Sequence, residues 1–322
     1  MTSRRHSPVC LLPVLVFCLM AATPVAAGSE PRSFRVEVSG DGPPMILIPG
    51  LASSGETWAT TVAHLGSRYT CHVLTLAGFA GVPPIEEPLL ATVRVELAEY
   101  IAARHLERPI IVGHSLGGTL ALGLAVDHPE LVGAVVVVDG LPFFAGAQMQ
   151  ANTVEDAQPA IAAMRVYMST MTTAQYDRYV SAGTATRFMA ASDADHETIK
   201  RWSRASDPRT VGNAMADLYG IDLRADLARV QSPTLVLGSW VGIHEQLKQY
   251  GMQVSRAQVV ATFASQFQAL GPLHFALSET ARHFIMLDDP AWFFARLDAF
   301  LKDPVATVAA RGFEPGHEAV SR

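Results

Sequence analysis

The chain has 322 residues, a formal net charge of −6, 49% hydrophobic residues and 17% charged residues. This composition supports a large buried core and excludes an intrinsically disordered chain. The acidic balance, together with the lack of a long basic run, excludes nucleic acid as an expected partner. The length suits one α/β domain that carries an insertion.

The first 27 residues have the features of a secretory signal peptide. Arg4 and Arg5 form a basic start, an apolar stretch runs from Val9 to Ala22, and small residues lead to Ala27. The apolar stretch is interrupted by a proline and is shorter than the roughly 20 residues that a membrane-spanning helix needs. We therefore expect cleavage near Ala27, no stable membrane span afterwards, and a periplasmic or secreted bacterial protein.

Short apolar runs alternate with helical patterns along the rest of the chain. This alternation is typical of a mostly parallel sheet with helices on both faces, which is an α/β fold. The predicted strands are Ser33–Val38, Met45–Ile48, His72–Leu76, Pro109–Val112, Val135–Val138, Thr234–Leu237 and His274–Leu277. The predicted helices between and after them are Glu56–Leu65, Leu89–His105, Leu116–Val126 and Ala291–Leu301.

The strand pattern stops between Pro142 and Val230, where several helical patches occur. Because the sheet pattern resumes afterwards, we interpret residues 142–230 as a helical cap inserted into a core made of residues 28–141 and 231–304. A separate helical domain is the alternative. Residues 305–322 are weakly patterned, which predicts a flexible tail.

The strongest chemical signal is Gly113-His114-Ser115-Leu116-Gly117, which fits the G-x-S-x-G pattern of a nucleophile elbow. An apolar strand precedes the motif and a helix follows it. In that context a tight turn lifts the serine hydroxyl above the sheet, and the two glycines leave room for neighbouring backbone. Ser115 is therefore the candidate nucleophile. A glycine-rich turn without catalysis is the alternative interpretation.

Two more segments accompany the elbow: Pro49-Gly50-Leu51, with Trp58 a few residues on, and Arg282-His283-Phe284. With these segments the chain resembles the α/β-hydrolase superfamily, in its single-chain esterase, lipase and aminopeptidase-like branch, over roughly residues 33–301. The order of elbow serine and late histidine also matches. The resemblance implies an eight-stranded, mostly parallel sheet and a cap after the sixth strand.

A serine nucleophile needs a general base. The resemblance places this base after the last strand, where His283 stands. His114 is too close to Ser115 along the chain to approach its hydroxyl. His244 and His274 are competitors, although His274 falls within a predicted strand.

Acyl transfer also needs an oxyanion hole made of two N–H donors. The residue after the nucleophile, Leu116, is one candidate donor, and Leu51 in the loop after an early strand is the other. The family often has His-Gly before the second donor, whereas this chain has Pro49-Gly50. The change should be tolerated because the donor is a backbone N–H.

The acid of the expected triad is the main departure from the family pattern. The resemblance implies an aspartate just past the strand that follows the cap, but Gly238 to Gly242 contains no carboxylate. Asp139, which ends the Val135–Val138 strand, stands where some members carry the acid instead. We favour Asp139, with Glu245 as the alternative. A triad that lacks its acid stays open.

These features predict a serine hydrolase that cleaves a carboxylic ester through an acyl-enzyme intermediate. A serine at the elbow argues against dehalogenase and epoxide-hydrolase chemistry, which uses a carboxylate there in this fold. No metal cluster or phosphate loop is evident in the sequence, so we expect no cofactor. The expected partner is a small apolar acyl substrate. That expectation comes from cap residues that could equally be core packing: Met149, Met164, Met168, Met171, Phe188 and Met189.

Two alternatives remain at this stage. An aminopeptidase of the same fold would need cap carboxylates to hold a free amine. A non-catalytic binding protein on a hydrolase scaffold is suggested by the missing acid. The carboxylates available in the cap are Glu155, Asp156, Asp193, Asp195 and Glu197.

Overall fold

The computed structural model describes residues 30–311, except residues 87, 184, 185, 250, 252 and 272. The expected signal peptide and residues 312–322 of the expected tail lie outside the described residues. Within the described part of the chain, no helix is both long enough and apolar enough to cross a membrane.

The core is a seven-stranded sheet in the described residues, with the strand order β1-β3-β2-β4-β5-β6-β7. Only β1 is antiparallel to its neighbour, β3, and every other pair is parallel. The strands are β1 (Phe34–Gly40), β2 (Pro44–Ile48), β3 (Thr70–Leu76), β4 (Ile110–His114), β5 (Ala134–Val138), β6 (Thr234–Ser239) and β7 (Leu273–Ser278).

The central strands are apolar on both faces because helices cover both sides of the sheet. In β5, Val135 and Val137 pack into one hydrophobic cluster, whereas Val136 and Val138 pack into the cluster on the opposite face. All four valines are fully buried. The edge strand β1 differs, since most of its residues are partly or fully exposed. This burial explains why β5 lacks the polar alternation of a half-exposed strand.

The α/β fold with a mostly parallel sheet is confirmed, but the expected eight strands are seven in the described residues. One strand alone, Phe34–Gly40, precedes the turn that leads into β2. It lies antiparallel on β3, from Phe34 opposite Leu76 to Gly40 opposite Thr70. None of the four described residues before Phe34 is in a strand.

The strand order reverses between β2 and β4, because the chain adds β3 on one side of β2 and β4 on the other. In open α/β sheets, ligands bind outside the carboxyl ends of the strands at such a switch point. Pro49-Gly50-Leu51 leaves β2 at this point, and Ser115 leaves β4 beside it. The topology therefore directs attention to this edge of the sheet.

Helices flank the sheet, and residues 142–230 form five α-helices and a short 3₁₀ helix with no strand in their described part. Of these, α5 and α8 pack on each other. The helices are α1 (Ala59–Leu65), α2 (Leu89–Ala103), α3 (Leu116–Asp127), α4 (Phe144–Gln148), α5 (Val154–Ser169), α6 (Thr173–Ser181), α7 (Asp193–Arg204), α8 (Pro208–Tyr219), α9 (Val241–Gln249), α10 (Arg256–Gln266), α11 (Ile285–Asp288), α12 (Pro290–Lys302) and α13 (Pro304–Arg311).

The expected flexible tail stays a prediction, and the part of it that the structure describes lies in α13, Pro304–Arg311. Asp303 caps this helix by accepting the Ala306 N–H at 2.9 Å, and Pro304 occupies the first turn, where its missing N–H has no cost. Val308 packs against the second hydrophobic cluster. The helix is therefore anchored both by its cap and by the core.

Gly117 is a position where the fold requires glycine, because a Cβ atom there would lie 2.3 Å from the Ile48 carbonyl oxygen and 2.7 Å from that of Pro49. Both clashing atoms are backbone, so they cannot rotate away. We expect Gly117→Ala to lower the free energy of unfolding by about 3 kcal/mol or more, measured by urea denaturation. Gly220→Ala, whose Cβ would meet only ordinary contacts at 3.4 Å, is the control. Equal stability of the two variants would contradict the close approach.

Candidate active site

Ser115 lies on a strained turn between β4 and α3. Its backbone has φ 53° and ψ −118°, a conformation that costs a non-glycine residue energy and that is typical of a nucleophile elbow. The Ser115 N–H donates to the Val138 carbonyl at 2.9 Å, and the Ser115 carbonyl accepts the Gly118 N–H at 2.9 Å. Helix α3 thus begins immediately after the turn and holds it in place.

Close packing of backbone surrounds this turn. A Cβ on Gly113 would lie 2.1 Å from the Gly117 carbonyl oxygen, and one on Gly140 would lie 2.8 Å from the Ser115 carbonyl oxygen. A Cβ on Gly50 would lie 3.3 Å from the Ser115 Cβ. The loops after β2 and β5 therefore approach the elbow directly.

Asp139 lies at the end of β5, beside the elbow, and it contacts His283. The Asp139 Oδ2 atom is 2.7 Å from His283 Nδ1, although the two residues are 144 positions apart. A carboxylate only accepts hydrogen bonds, so Nδ1 carries the proton and Nε2 is left with its lone pair. Asp139 has φ 48°, which aspartate tolerates better than most residues, and it is buried.

Ser239 at the end of β6 holds the same carboxylate with two donors. Its backbone N–H donates to Asp139 Oδ1 at 2.8 Å, and its hydroxyl donates to Asp139 Oδ2 at 2.9 Å. The carboxylate thus accepts three hydrogen bonds in a buried setting, which fixes its orientation toward His283.

Removal of the Ser239 hydroxyl tests this arrangement. We expect Ser239→Ala to lower kcat for an ester about tenfold, since a hydrogen bond to a charged group contributes about 1.5–3 kcal/mol and the Ser239 N–H remains. Ser232→Ala is the matched control, because Ser232 is a buried serine before the same strand and its hydroxyl donates to the Val132 carbonyl at 2.9 Å. Steady-state kinetics with one ester would show both effects. Equal kcat values for the two variants would contradict a role for the hydroxyl.

Glu245, the alternative acid, pairs with a different residue. Its Oε2 atom is 3.0 Å from both Nε and a terminal nitrogen of Arg282. Helix α9 begins at Val241, directly after β6, and carries Glu245 to the Arg282 side chain. The structure therefore brings Asp139 to His283 and does not bring Glu245 into hydrogen-bond contact with it.

The loop that carries His283 is joined to the cap by hydrogen bonds. Asp288 accepts the Arg282 N–H at 2.8 Å and the Ala191 N–H at 2.7 Å, and the Phe284 N–H donates to the Met189 carbonyl at 2.9 Å. Burial raises the pKa of the Asp288 carboxyl, while these two backbone donors oppose that rise. Two hydrogen bonds therefore connect the cap to the segment that carries His283.

The expected oxyanion donors lie on both sides of the elbow. Leu116 is the first residue of α3, and Leu51 follows β2 at the switch point. No acceptor within the described residues takes either N–H at hydrogen-bond distance. An oxyanion hole requires two N–H donors that are free to bond the substrate oxygen.

The Ser115 hydroxyl and the His283 imidazole share this edge without a direct hydrogen bond among the described contacts. Such bonds are often long in unliganded enzymes and shorten when the substrate binds. The other two histidines considered have different surroundings. His274 is buried in β7. His244 lies in α9 and packs against Trp240, with ring centroids 4.9 Å apart.

The cap residues considered for an acyl pocket have mixed surroundings. Met168 is buried in the main cluster, and Met164 and Met171 pack partly against it. Met189 packs against the second cluster, and Phe188 lines a surface cleft with Arg187, Lys248 and Arg282. These contacts assign the methionines to core packing.

The cap carboxylates considered for an aminopeptidase serve as helix caps or face solvent. Asp156 completes a capping box with Thr153 at the start of α5, and Asp195 accepts a hydrogen bond from Ser192 at the start of α7. Glu197 pairs with Lys200 one turn along the same helix. Nothing in these contacts favours an amine site.

The model of one protein family, described as the alpha/beta hydrolase family, matches residues 45–297, which is most of the chain. The chain belongs to the alpha/beta hydrolase family. The matched range includes the elbow, both candidate acids and the His283 loop, so the whole site lies within the family's own fold.

Among similar family members are esterases named for the methyl ester of pimeloyl-[acyl-carrier protein]. The one from Vibrio atlanticus is 29% identical over 210 residues, or 62% of this chain and 76% of that protein. The one from Aeromonas hydrophila is 36% identical over 115 residues, or 35% of this chain and 43% of that protein. The second match thus spans less than half of that relative.

Solved structures of other hydrolases share the fold. An enol-lactonase from Burkholderia xenovorans has a TM-score of 0.65 and 15% identity, covering 84% of this chain and 96% of that one. An esterase from Exiguobacterium antarcticum has a TM-score of 0.64 and 16% identity, with the same coverage. At this level of identity, the likeness shows the hydrolase fold alone.

Ser239 and Asp288 are the site residues that sequence reasoning missed. The segment Gly238–Gly242 stood out for lacking a carboxylate, yet its serine is what holds Asp139. A hydroxyl at a strand end adjacent to an acidic strand end was the available signal. Asp288 carried no such signal, because one of its two partners, Ala191, comes from the distant cap.

Proposed function

We propose that this hydrolase cleaves carboxylic esters through an acyl-enzyme intermediate on Ser115. The observation that carries this proposal is the 2.7 Å hydrogen bond between Asp139 and His283, formed beside an elbow serine. The neighbouring strands β2, β4, β5 and β6 supply the second oxyanion donor, the nucleophile, the acid and the serine that holds it, and the loop after β7 supplies the base.

In the first step, the Ser115 oxygen attacks the ester carbonyl carbon while His283 Nε2 takes the hydroxyl proton. The N–H groups of Leu51 and Leu116 stabilise the negative oxygen of the tetrahedral intermediate. The intermediate collapses as the carbon–oxygen bond to the alcohol breaks, and His283 returns its proton to the departing oxygen. Asp139 stabilises the imidazolium throughout and keeps Nδ1 protonated.

In the second step, water attacks the acyl-enzyme carbonyl and gives its proton to His283 Nε2. The same two N–H groups hold the second oxyanion. Collapse of this intermediate breaks the bond to the Ser115 oxygen, which recovers its proton from His283, and the carboxylic acid leaves. No cofactor takes part in either step.

The substrate class also has support from the relatives. Two of them are named for hydrolysis of a methyl ester of a carrier-bound acid. Both names describe cleavage of a carbon–oxygen bond at an acyl group. A small-molecule acyl ester is therefore the proposed substrate of this chain.

A substrate panel separates this function from its two alternatives. We expect the purified protein to hydrolyse p-nitrophenyl esters and to leave aminoacyl p-nitroanilides intact. Turnover confined to the anilides would establish an aminopeptidase instead. A folded protein that hydrolyses neither class and does not react with a fluorophosphonate probe would establish a non-catalytic binding protein.

Export remains part of the proposal, on the strength of the basic start and apolar stretch that precede Ala27. We expect expression in a Gram-negative host to yield a mature protein that begins near Gly28 in the periplasmic fraction. Mass spectrometry of its N-terminus measures this directly. Full-length protein confined to the cytoplasm would contradict it.

A further inference from the structure

We infer that His114, the residue before the nucleophile, is a positioning residue that holds the catalytic base in place. This inference rests on the proposed function. His114 Nε2 lies 3.0 Å from the backbone carbonyl oxygen of His283, 169 residues further along the chain. His114 is itself fully buried. It therefore ties the nucleophile elbow directly to the residue that must receive the nucleophile's proton.

The chemistry of this contact assigns the protonation state of His114. A carbonyl oxygen can only accept a hydrogen bond, so Nε2 must carry the proton. Burial lowers the pKa of His114 well below its usual value, and the neighbouring His283 lowers it further. His114 is thus a neutral imidazole, and its Nδ1 is a lone-pair atom without a proton.

The surroundings of the ring show that nothing else requires a histidine at this position. Nδ1 is buried and has no hydrogen-bond partner in the described part of the chain. It faces Gly50, where a Cβ atom would lie only 2.9 Å away. Burial of an unpaired acceptor costs about 1–3 kcal/mol, which an apolar residue here would avoid. The Nε2–H bond to the His283 carbonyl is therefore the contact of His114 that an apolar ring could not make.

The His114 Nε2–H donates to the backbone of the short segment that carries the base. The flanking residues Arg282 and Phe284 are held through their own N–H groups by Asp288 and by the Met189 carbonyl. His114 supplies the third attachment, on the carbonyl of the base itself. The two imidazole rings also pack together, with centroids 4.6 Å apart.

Phe284 completes the packing, since its ring centroid is 4.4 Å from that of His114. Ring packing and hydrogen bonding are therefore both available explanations for His114, and they predict different variants to be active. Phenylalanine preserves an aromatic ring and has no donor. Glutamine lacks the ring, but its side-chain amide nitrogen can reach the place of Nε2.

The test compares His114→Gln with His114→Phe in ester hydrolysis. We expect His114→Phe to lower kcat by about 10- to 100-fold, because a small displacement of a catalytic group has effects of this size. KM should change little, since His114 is fully buried. We expect His114→Gln to recover most of the lost kcat.

A matched control comes from His72, a second buried histidine that bonds Tyr100 at 2.8 Å through Nδ1 and lies on β3. His72→Gln and His72→Phe should both leave kcat unchanged, whatever they do to stability. Melting temperatures of all four variants separate loss of folding from loss of turnover. A kcat for His114→Phe equal to or above that of His114→Gln would overturn the inference.

A measurement on the unmodified protein keeps the inference testable even where a variant fails to fold. In ¹⁵N NMR of histidine-labelled protein, we expect His114 to show the Nε2–H tautomer, with a slowly exchanging ring proton. A proton on Nδ1 would overturn the inference. Wild-type ester turnover that depends on Ser115 but not on any His114 substitution would overturn it too, and would leave the proposed function intact.

Discussion

Replacement of Ser115 by alanine is expected to lower kcat for ester hydrolysis by at least about 10⁴-fold, while substrate binding stays close to normal. The physical reason is the loss of the Ser115 hydroxyl oxygen, the proposed nucleophile, from the turn between β4 and α3. The Ser115 side chain makes no hydrogen bond that the fold depends on in the described residues, so the variant should stay folded. Steady-state kinetics and the melting temperature measure the two effects.

Two controls sharpen this result. The variant should also lose all labelling by a fluorophosphonate probe, which reports the activated serine independently of any substrate. Thr119→Ala, in the same helix and bonded to the Leu141 carbonyl at 2.8 Å, should retain labelling. Ester turnover that survives in Ser115→Ala would contradict the assignment of the nucleophile.

Replacement of Asp139 by asparagine should have the second largest effect, a loss of about 10⁴-fold in kcat. Asparagine keeps the shape, and its carbonyl oxygen in the place of Oδ1 still accepts the Ser239 N–H. Its amide nitrogen, in the place of Oδ2, cannot accept from the Ser239 hydroxyl and can donate to His283 Nδ1. That donation would move the imidazole proton to Nε2 and leave no lone pair for the Ser115 proton. The variant should therefore fold normally and fail in catalysis.

Glu245→Gln is the matched comparison, because it removes the other candidate carboxylate. Its partner is the Arg282 guanidinium, and a partly exposed ion pair of this kind contributes about 0–1 kcal/mol. We expect kcat to change by less than about threefold. A reversal, with Glu245→Gln inactive and Asp139→Asn active, would show that the triad rearranges when substrate binds.

Most of the sheet was predictable, because fully buried strands leave a strong local signal. The run Val135–Val138 and the apolar residues before Ser115 could hardly form anything but strands covered on both faces. The two helices between β6 and β7 had no such signal. Helix α9 is short, and in it polar residues surround a few apolar ones. Its position depends on contacts such as Glu245 with Arg282.

The site was predictable in part, for a related physical reason. Ser115 follows from a local turn whose glycines are needed for close backbone packing. The choice between Asp139 and Glu245 depends instead on where the loop after β7 places His283. That position is set by distant contacts, from His114 to the His283 carbonyl and from Ala191 of the cap to Asp288. The residues next to His283 in the sequence do not predict such contacts.

Capture of the acyl group on the enzyme tests the assignment of Ser115 as the nucleophile most directly. Rapid acid quenching during turnover of p-nitrophenyl acetate, followed by peptide mass mapping, shows which residue carries the acetyl group. We expect acetylation of Ser115, in amounts that match the initial burst of p-nitrophenol. Steady turnover with no acetylated Ser115, or with the acetyl group on another residue, would contradict it.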